Sequence, residues 1–423
     1  MRQANCQPSL TNSKKIGVEG ICQLLAEVLN QGYRLIGPTV RDDAVIYDDL
    51  TGFEDLPEGY SDQQTPGEYR LEKSNGKSIF GYVVGPQSWK KFLHPPRQRI
   101  GVYDRGMNRI ELNESEEDER PLAFFGVRPC ELKAIQIQDR VFLEGPFVDE
   151  QYRKRRESLY IIGVNCTQPA STCFCASMGS GPSHSEGFDL CLTEIVDKKT
   201  RDYLVQVGSE KGSRLLEKVP IEPASETQIH QGENLLEKSA RKIERTLETE
   251  ELPEILNRNF DHPHWEEIAN RCLACGNCTL VCPTCFCTTV EETTDLAGQR
   301  AERWKLWDSC FTADFSYIHG GSVRPSTRSR YRQWMTHKLS NWVDQFGTMG
   351  CVGCGRCLTW CPVGIDITEE AAYIREHDLS RKSRKQKENP KKVNELTTSS
   401  RGAKSASVEK QPALAGSERG SRR

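Results

Sequence analysis

CLACGNCTLVCP at residues 272–283 and CVGCGRCLTWCP at residues 351–362 share one spacing, C-x2-C-x2-C-x3-C-P. Three thiols at three-residue steps wrap one corner of a cubane iron–sulfur cluster. The fourth, with Pro behind it, lies too far round to close on the same corner, and in chains with two such runs it crosses to the other cluster. That rule assigns Cys272, Cys275, Cys278 and Cys361 to one [4Fe–4S] cluster, and Cys351, Cys354, Cys357 and Cys282 to a second. Zinc sites use Cys pairs separated by a dozen or more residues, which is not the spacing here. Leu273, Ala274, Gly276, Asn277, Val352, Gly353 and Gly355 are small or uncharged, as close approach to a weakly polar cluster requires.

Sixty-eight residues separate Cys282 from Cys351, and the reading is that helix fills the gap. In 331–346 the apolar residues Tyr331, Trp334, Met335, Leu339, Trp342, Val343 and Phe346 fall at offsets 0, 3, 4, 8, 11, 12 and 15, one helix face. Gly347 supplies the stop. Asp261 before Pro263, Trp265 and Ile268 reads as a capped helix entering the first run, and Asp366 to Glu369 as a capping box after the second. An α-helical ferredoxin follows. Trp304, Trp307, Tyr331, Trp334 and Trp342 then pack around the clusters rather than stack on nucleic acid. Arg324, Arg328, Arg330 and Arg332 read as a solvated face, with offsetting the anionic clusters or meeting a partner subunit as further roles open to it.

Upstream, PLAFFGV (121–127) and LYIIGV (159–164) read as buried strands with helices near 130–141 and 148–157 between them. Strand–helix–strand implies a parallel α/β sheet. Cys130 and Cys166 follow those strands at their carboxyl ends, where such sheets place ligands. Cys173 and Cys175 lie just beyond, in the loop STCFCASMGSGP. Free Cys is often a small buried apolar residue, but two thiols in a Gly/Ser/Pro loop point to a third metal or redox site of Cys130, Cys166, Cys173 and Cys175. The TCFC tetrad recurs at 284–287, where Cys285 and Cys287 are either further ligands or pocket lining. Ile16–Leu29 reads as a helix, Arg34–Ile36 and Ala44–Tyr47 as strands, Phe188–Ile195 and Asp202–Val207 as a pair turning at Asp197–Thr200, and 232–250 as a connecting helix.

The chain has 423 residues, 18 of them Cys, with a mean hydropathy of −0.63. No run reaches the roughly 18 apolar residues needed to cross a bilayer, and no secretory start is visible. This suggests a cytoplasmic protein without a membrane span, in which thiols serve metal or redox chemistry rather than disulfides. The net charge of −3 hides a tail, 381–423, with 13 Lys/Arg and 4 Asp/Glu, and a body carrying −12. Such a tail lacks the apolar content to order itself. No G-x-G-x-x-G or P-loop is present, and no nucleophile–base pair is evident. Cys6, Cys22, Cys191 and Cys310 need no redox role.

Taken together, GPQSWKKFLHPP (85–96), FFGVRPCELKAIQIQDRVF (124–142), GVNCTQPASTCFCASMGSGP (163–182), GFDLCLTEI (187–195), the two Cys runs and RYRQWMTHKL (330–339) resemble the iron–sulfur β subunit of soluble nickel–iron hydrogenases, or sulfhydrogenases. The A subunit of anaerobic sulfite reductase is similar. The resemblance spans roughly 15–375 and implies a dicluster protein in a multi-subunit oxidoreductase. A flavin-bearing, NAD(P)H-reactive subunit stands on one side and a hydrogenase or sirohaem sulfite reductase module on the other. Cys191 stands where that family carries a small apolar residue, and the tail has no counterpart in it.

The expectation is thus an α+β multidomain chain. It comprises an N-terminal α/β domain (1–250), an α-helical ferredoxin-type domain with two [4Fe–4S] clusters (251–379) and a disordered basic tail (380–423). Its function would be electron transfer, with no nucleic-acid partner. The alternative is a self-contained reductase of sulfur compounds acting at the N-terminal TCFC region.

Overall fold

Strand Leu122–Val127 is buried at every position, and so is Tyr160–Val164. Continuous apolar runs of this kind belong to strands covered on both faces. They pair in parallel, and Arg34–Arg41 and Leu190–Val196 extend the parallel core on either side. Four antiparallel strands complete the sheet of eight, in the order Glu222–Pro223, Lys14–Gly17, Arg201–Val207, Leu190–Val196, Tyr160–Val164, Leu122–Val127, Arg34–Arg41, Ala44–Asp49. The crossover between the two central strands is made by helices Pro129–Phe142 and Glu150–Glu157. In this computed structural model the described residues are 10–380, apart from 84, 108, 113–117, 119, 198 and 199, and the side chains of 109–112. Cys6, the basic tail and the middle of the turn after Val196 fall outside them.

Alternate residues of the central strands feed two cores. Ala123, Phe125, Ile162 and Val164 join the one that buries helix Val18–Asn30. Leu122, Phe124 and Ile161 join the one beneath helix Pro129–Phe142. Val127 breaks the alternation because the register slips at Gly126, whose φ is +86°. A bulge of this kind re-aims the chain at a strand end. It delivers Arg128, Pro129 and Cys130 to the sheet's carboxyl edge.

The second half is built on helices Leu252–Arg258, His264–Arg271, Thr327–Thr336 and Ile367–Glu376. Leu256, Trp265, Ile268, Met335, Leu339, Leu358 and Ile374 form their core, with five of the run cysteines packed against it. The stripe over 331–346 holds, but the helix loosens to a π turn at His337–Asn341 before Trp342–Phe346. Gly347, at φ +68°, ends it. Asp366 accepts from Thr368 N–H at 2.8 Å at the head of the last helix. Asp261 does not cap its helix; Pro263 stands at that position and Asp261 faces Arg332 at 3.5 Å.

Two expectations are corrected. The segment between the Cys runs is helical only in its second half. Thr288–Thr294 and Arg300–Trp307 form an antiparallel hairpin that pairs onto Arg97–Asp104 and, through it, Arg109–Leu112. The β-branched run TTVEETT favours a strand, and a waiting edge from the N-terminal half completes the ladder. Trp304 and Trp307 therefore lie on a strand, stacked under Arg97 and Lys90, while Tyr331, Trp334 and Trp342 are core. The connecting helix spans Glu226–Lys242, earlier than read, because Ser225 and Gln228 form its capping box. Residues up to Glu376 make one compact unit.

Candidate iron–sulfur centres

Cys272, Cys275, Cys278 and Cys361 line one cavity, closed by Phe311, Tyr331 and Trp334. The crossing Cys361 is thus brought to the first run. Ala274 and Gly276 take left-handed backbone at φ +52° and +77°, which turns the loop around the cavity. Ala274 N–H points at Cys272 Sγ (3.4 Å) and Ile365 N–H at Cys361 Sγ (3.3 Å). Donors of this kind stabilise the anionic charge of a thiolate-ligated cluster. Burial pushes the thiols of Cys272 and Cys278 up, so ionising them calls for a compensating metal charge. The mouth faces solvent: Cys275 is exposed and Leu273 is 63% exposed.

Cys351, Cys354, Cys357 and Cys282 form a second group. Each of the first three feels the charge of Cys282, and Cys357 feels both its run partners. Gly353 and Gly355 repeat the left-handed turns, at φ +64° and +79°, and Gly353 N–H points at Cys351 Sγ (3.5 Å). Burial holds Cys351 at about 12 and raises Cys354. Here the run is enclosed. Val352, the counterpart of Leu273, is 2% exposed. Arg356, the counterpart of Asn277, is fully buried and pairs with fully buried Glu131, while its Nε and Nη2 reach Gly85 O and Gln87 O, both at 2.9 Å. Glu131 also accepts from Tyr47 Oη (2.7 Å) and Trp89 Nε1 (3.0 Å).

Cys130, Cys166, Cys173 and Cys175 come together on a third cavity, with Arg128, Gly181 and Cys354. Its empty space, about 360 Å³, is close to the 420 Å³ of the first. Cys130 starts a helix, Cys166 follows a strand and donates its N–H to Pro182 O (2.9 Å), and the STCFC loop supplies the others. Burial raises all four thiols. Arg128, 2% exposed, spends Nη2 on Phe80 O and Tyr82 O, at 2.9 and 2.8 Å. Its Nε and Nη1 have no hydrogen-bond partner among the described residues, and its charge bears on Cys166. A buried cation with open donors beside four thiols suits an anionic group. Among the described residues no three His, Cys, Asp or Glu side chains could hold a single metal ion; the thiols surround space instead of converging on a point.

Shared walls link the sites. Cys357 lines the first cavity and belongs to the second group, and Cys354 belongs to the second group and lines the third. Phe174 N–H donates to Gly353 O (2.9 Å), so the TCFC loop is stitched onto the second run.

Sequence reasoning missed the buried cations. Lys338, 3% exposed, donates to Gly350 O (2.9 Å), Cys282 Sγ (3.2 Å), Thr284 Oγ1 (3.2 Å) and Cys285 Sγ (3.5 Å). Burial alone would discharge it; the thiols of Cys282, Cys285 and Cys351 outweigh that and hold it charged. Cys282 is correspondingly pushed down, by the Cys285 S–H and by Lys338 against burial. The available signal was a Lys at offset 7 of the apolar stripe that begins at Tyr331.

Residues 271–365 match the family of 4Fe-4S dicluster domains. The chain is 35% identical over 315 residues to the sulfhydrogenase 2 subunit beta of Pyrococcus furiosus, covering 73% of this chain and 89% of that one. No solved structure matches. No helix of the described residues is long and apolar enough to cross a membrane. With the crossed cysteine runs, the paired left-handed turns and this relative together, the chain belongs to the family of sulfhydrogenase β subunits, iron–sulfur electron-transfer proteins with a dicluster domain.

Proposed function

We propose that this chain is a relay of three iron–sulfur clusters inside a soluble, cytoplasmic oxidoreductase. Cys272, Cys275, Cys278 and Cys361 hold the first [4Fe–4S] cluster, Cys351, Cys354, Cys357 and Cys282 the second, and Cys130, Cys166, Cys173 and Cys175 a third. Clusters of this type carry single electrons at low potential. The observation that carries the reading is the pair of shared walls: Cys357 joins the first site to the second, and Cys354 joins the second to the third. Electrons move along that line between a flavin-bearing, NAD(P)H-reactive subunit and a catalytic module of hydrogenase type. Sulfite reductase is the alternative module.

The protein's own contribution is geometric and electrostatic. The left-handed turns bring backbone N–H groups to sulfur. The aromatic wall covers the inner side of the first cavity, and Lys338 and Arg128 offset charge where the second and third clusters would sit. Cys275→Ser, in the chain isolated anaerobically with its partners, should lose the iron of one cluster. It should also cut electron flow through the complex while leaving the flavin subunit's own dye reduction intact. Full iron and normal turnover in that variant sink the ligand assignment. The proteins that copurify identify the catalytic module.

A further inference from the structure

Cys285, Cys287 and Cys310 belong to none of the three four-thiol sets, and their arrangement differs. Two of those sets line cavities; Cys287 and Cys310 instead flank the end of the hairpin. The hairpin's last strand pair is Thr288 with Trp307, and the next backbone bond runs from Asp308 N–H to Cys287 O at 2.9 Å. That closure holds Cys287 against the chain leading to Cys310. The side chain and the backbone N–H of Cys310 both bear on the Cys287 sulfur and lower it, and Cys287 raises Cys310 in turn. Both residues are free and partly exposed. Two enclosed lysine side chains bear on the same sulfur: Lys338, which its thiols hold charged, and Lys90, which burial pushes down. Lys90 is 4% exposed, with Nζ 3.2 Å from Cys285 O and 3.8 Å from the centre of the Trp307 ring. The Cys310 side chain, these lysines and the Cys310 N–H hold the Cys287 thiol down at about 7 against burial. A low-lying thiolate beside a cation, with a second thiol next to it, is the arrangement of redox-active Cys pairs. The pair is near the proposed wire: Cys310 feels the charge of Cys278, and Lys338 bridges from Cys287's surroundings to Cys282.

We propose that Cys287 and Cys310 form a reversible dithiol–disulfide couple charged by the two clusters of the dicluster domain, an inference that rests on the cluster reading above. In the reducing direction the Sγ–Sγ bond breaks. Each of two reduced [4Fe–4S]+ clusters gives one electron and becomes [4Fe–4S]2+, and two protons from solvent complete the thiols. In the oxidising direction the bond re-forms, the two electrons return to the clusters and the protons leave. The chain thereby gains a two-electron station on a one-electron line.

The test uses the full chain with its clusters, prepared anaerobically. After oxidation by excess dye, alkylation and digestion, a peptide crosslinked through Cys287 and Cys310 should appear, and dithionite treatment should abolish it. In reductive titration, Cys310→Ser and Cys287→Ala should each take up two electrons fewer per chain than the unaltered protein, at equal iron and sulfide. Absence of the crosslink in iron-loaded protein overturns the couple, as does equal electron uptake. Loss of iron from either variant also overturns it, by making these thiols cluster ligands. Iron-free unaltered protein would instead overturn the cluster reading itself, and the couple with it.

Discussion

The two Cys runs share a spacing and a backbone path, yet one lies at the surface and the other in the interior. Leu273 is 63% exposed and Val352 2%. Asn277 reaches Trp360 O, at 3.3 Å, where Arg356 is locked to Glu131. The first run's neighbours across the loop are side chains such as Ser309; the second run's are the backbone of Thr172 and Phe174. The shared spacing therefore sets the loop, and the flanking residues set its surroundings: the first run opens to solvent, and the second is enclosed.

Breaking the enclosure has the largest effect. Glu131→Ala strands the buried Arg356 guanidinium and should lower folding stability by about 3–5 kcal/mol, whereas Asn277→Ala, at the matching place in the open run, should cost about 1 kcal/mol or less. Denaturant titration of the two variants checks the contrast, and equal losses would contradict it. Next is Gly353→Ala. A Cβ there would lie 2.6 Å from the Phe174 backbone, at φ +64°, so about 1–3 kcal/mol should be lost. Ala274→Gly, its counterpart at φ +52°, should be neutral or slightly stabilising, since glycine is at ease in that conformation.

Smaller effects sharpen the comparison without disturbing the fold. Lys338→Met removes a cation that contacts Cys282, in the second group, and leaves Cys272, Cys275, Cys278 and Cys361 of the first untouched. The midpoint potential of the second cluster should fall by something on the order of 100 mV, from the Coulomb energy of a neighbouring charge at an effective dielectric near 20, while that of the first stays put. A redox titration followed by EPR resolves the two, and a common shift would deny the asymmetry. Leu273→Ala should change stability by less than about 0.5 kcal/mol and leave iron content intact. If electrons enter the proposed relay at this mouth, it should also slow electron exchange with a partner, as stopped-flow reduction of the assembled complex would reveal.

The cysteine runs and the central strands were legible because their signals are local: a fixed spacing, and apolar strings at Leu122–Val127 and Tyr160–Val164 bounded by turns. The convergence of Cys130 and Cys166 with the STCFC loop was legible too, since parallel strands end on one edge. What escaped depended on distant partners. The hairpin at Thr288–Trp307 is a strand pair because Arg97–Asp104 offers it an edge nearly 200 residues upstream. Lys338 reads as a solvated charge until Cys282, Thr284 and Gly350 close around it. Arg356 and Glu131 lie 225 residues apart and announce nothing singly.

That long-range strand pairing bears on how the protein is made. During synthesis the ladder of Arg97–Asp104 lacks its main neighbour until Arg300–Trp307 has left the ribosome, and a bare edge of this kind invites pairing with other chains. The same holds for a cluster domain expressed by itself, whose hairpin would keep one unpaired side. The nascent chain thus has reason to be shielded until residue 307 emerges. The segment 351–361, with the last four run thiols, emerges only afterwards, so iron delivery belongs to the end of synthesis, when the sheet is already closed.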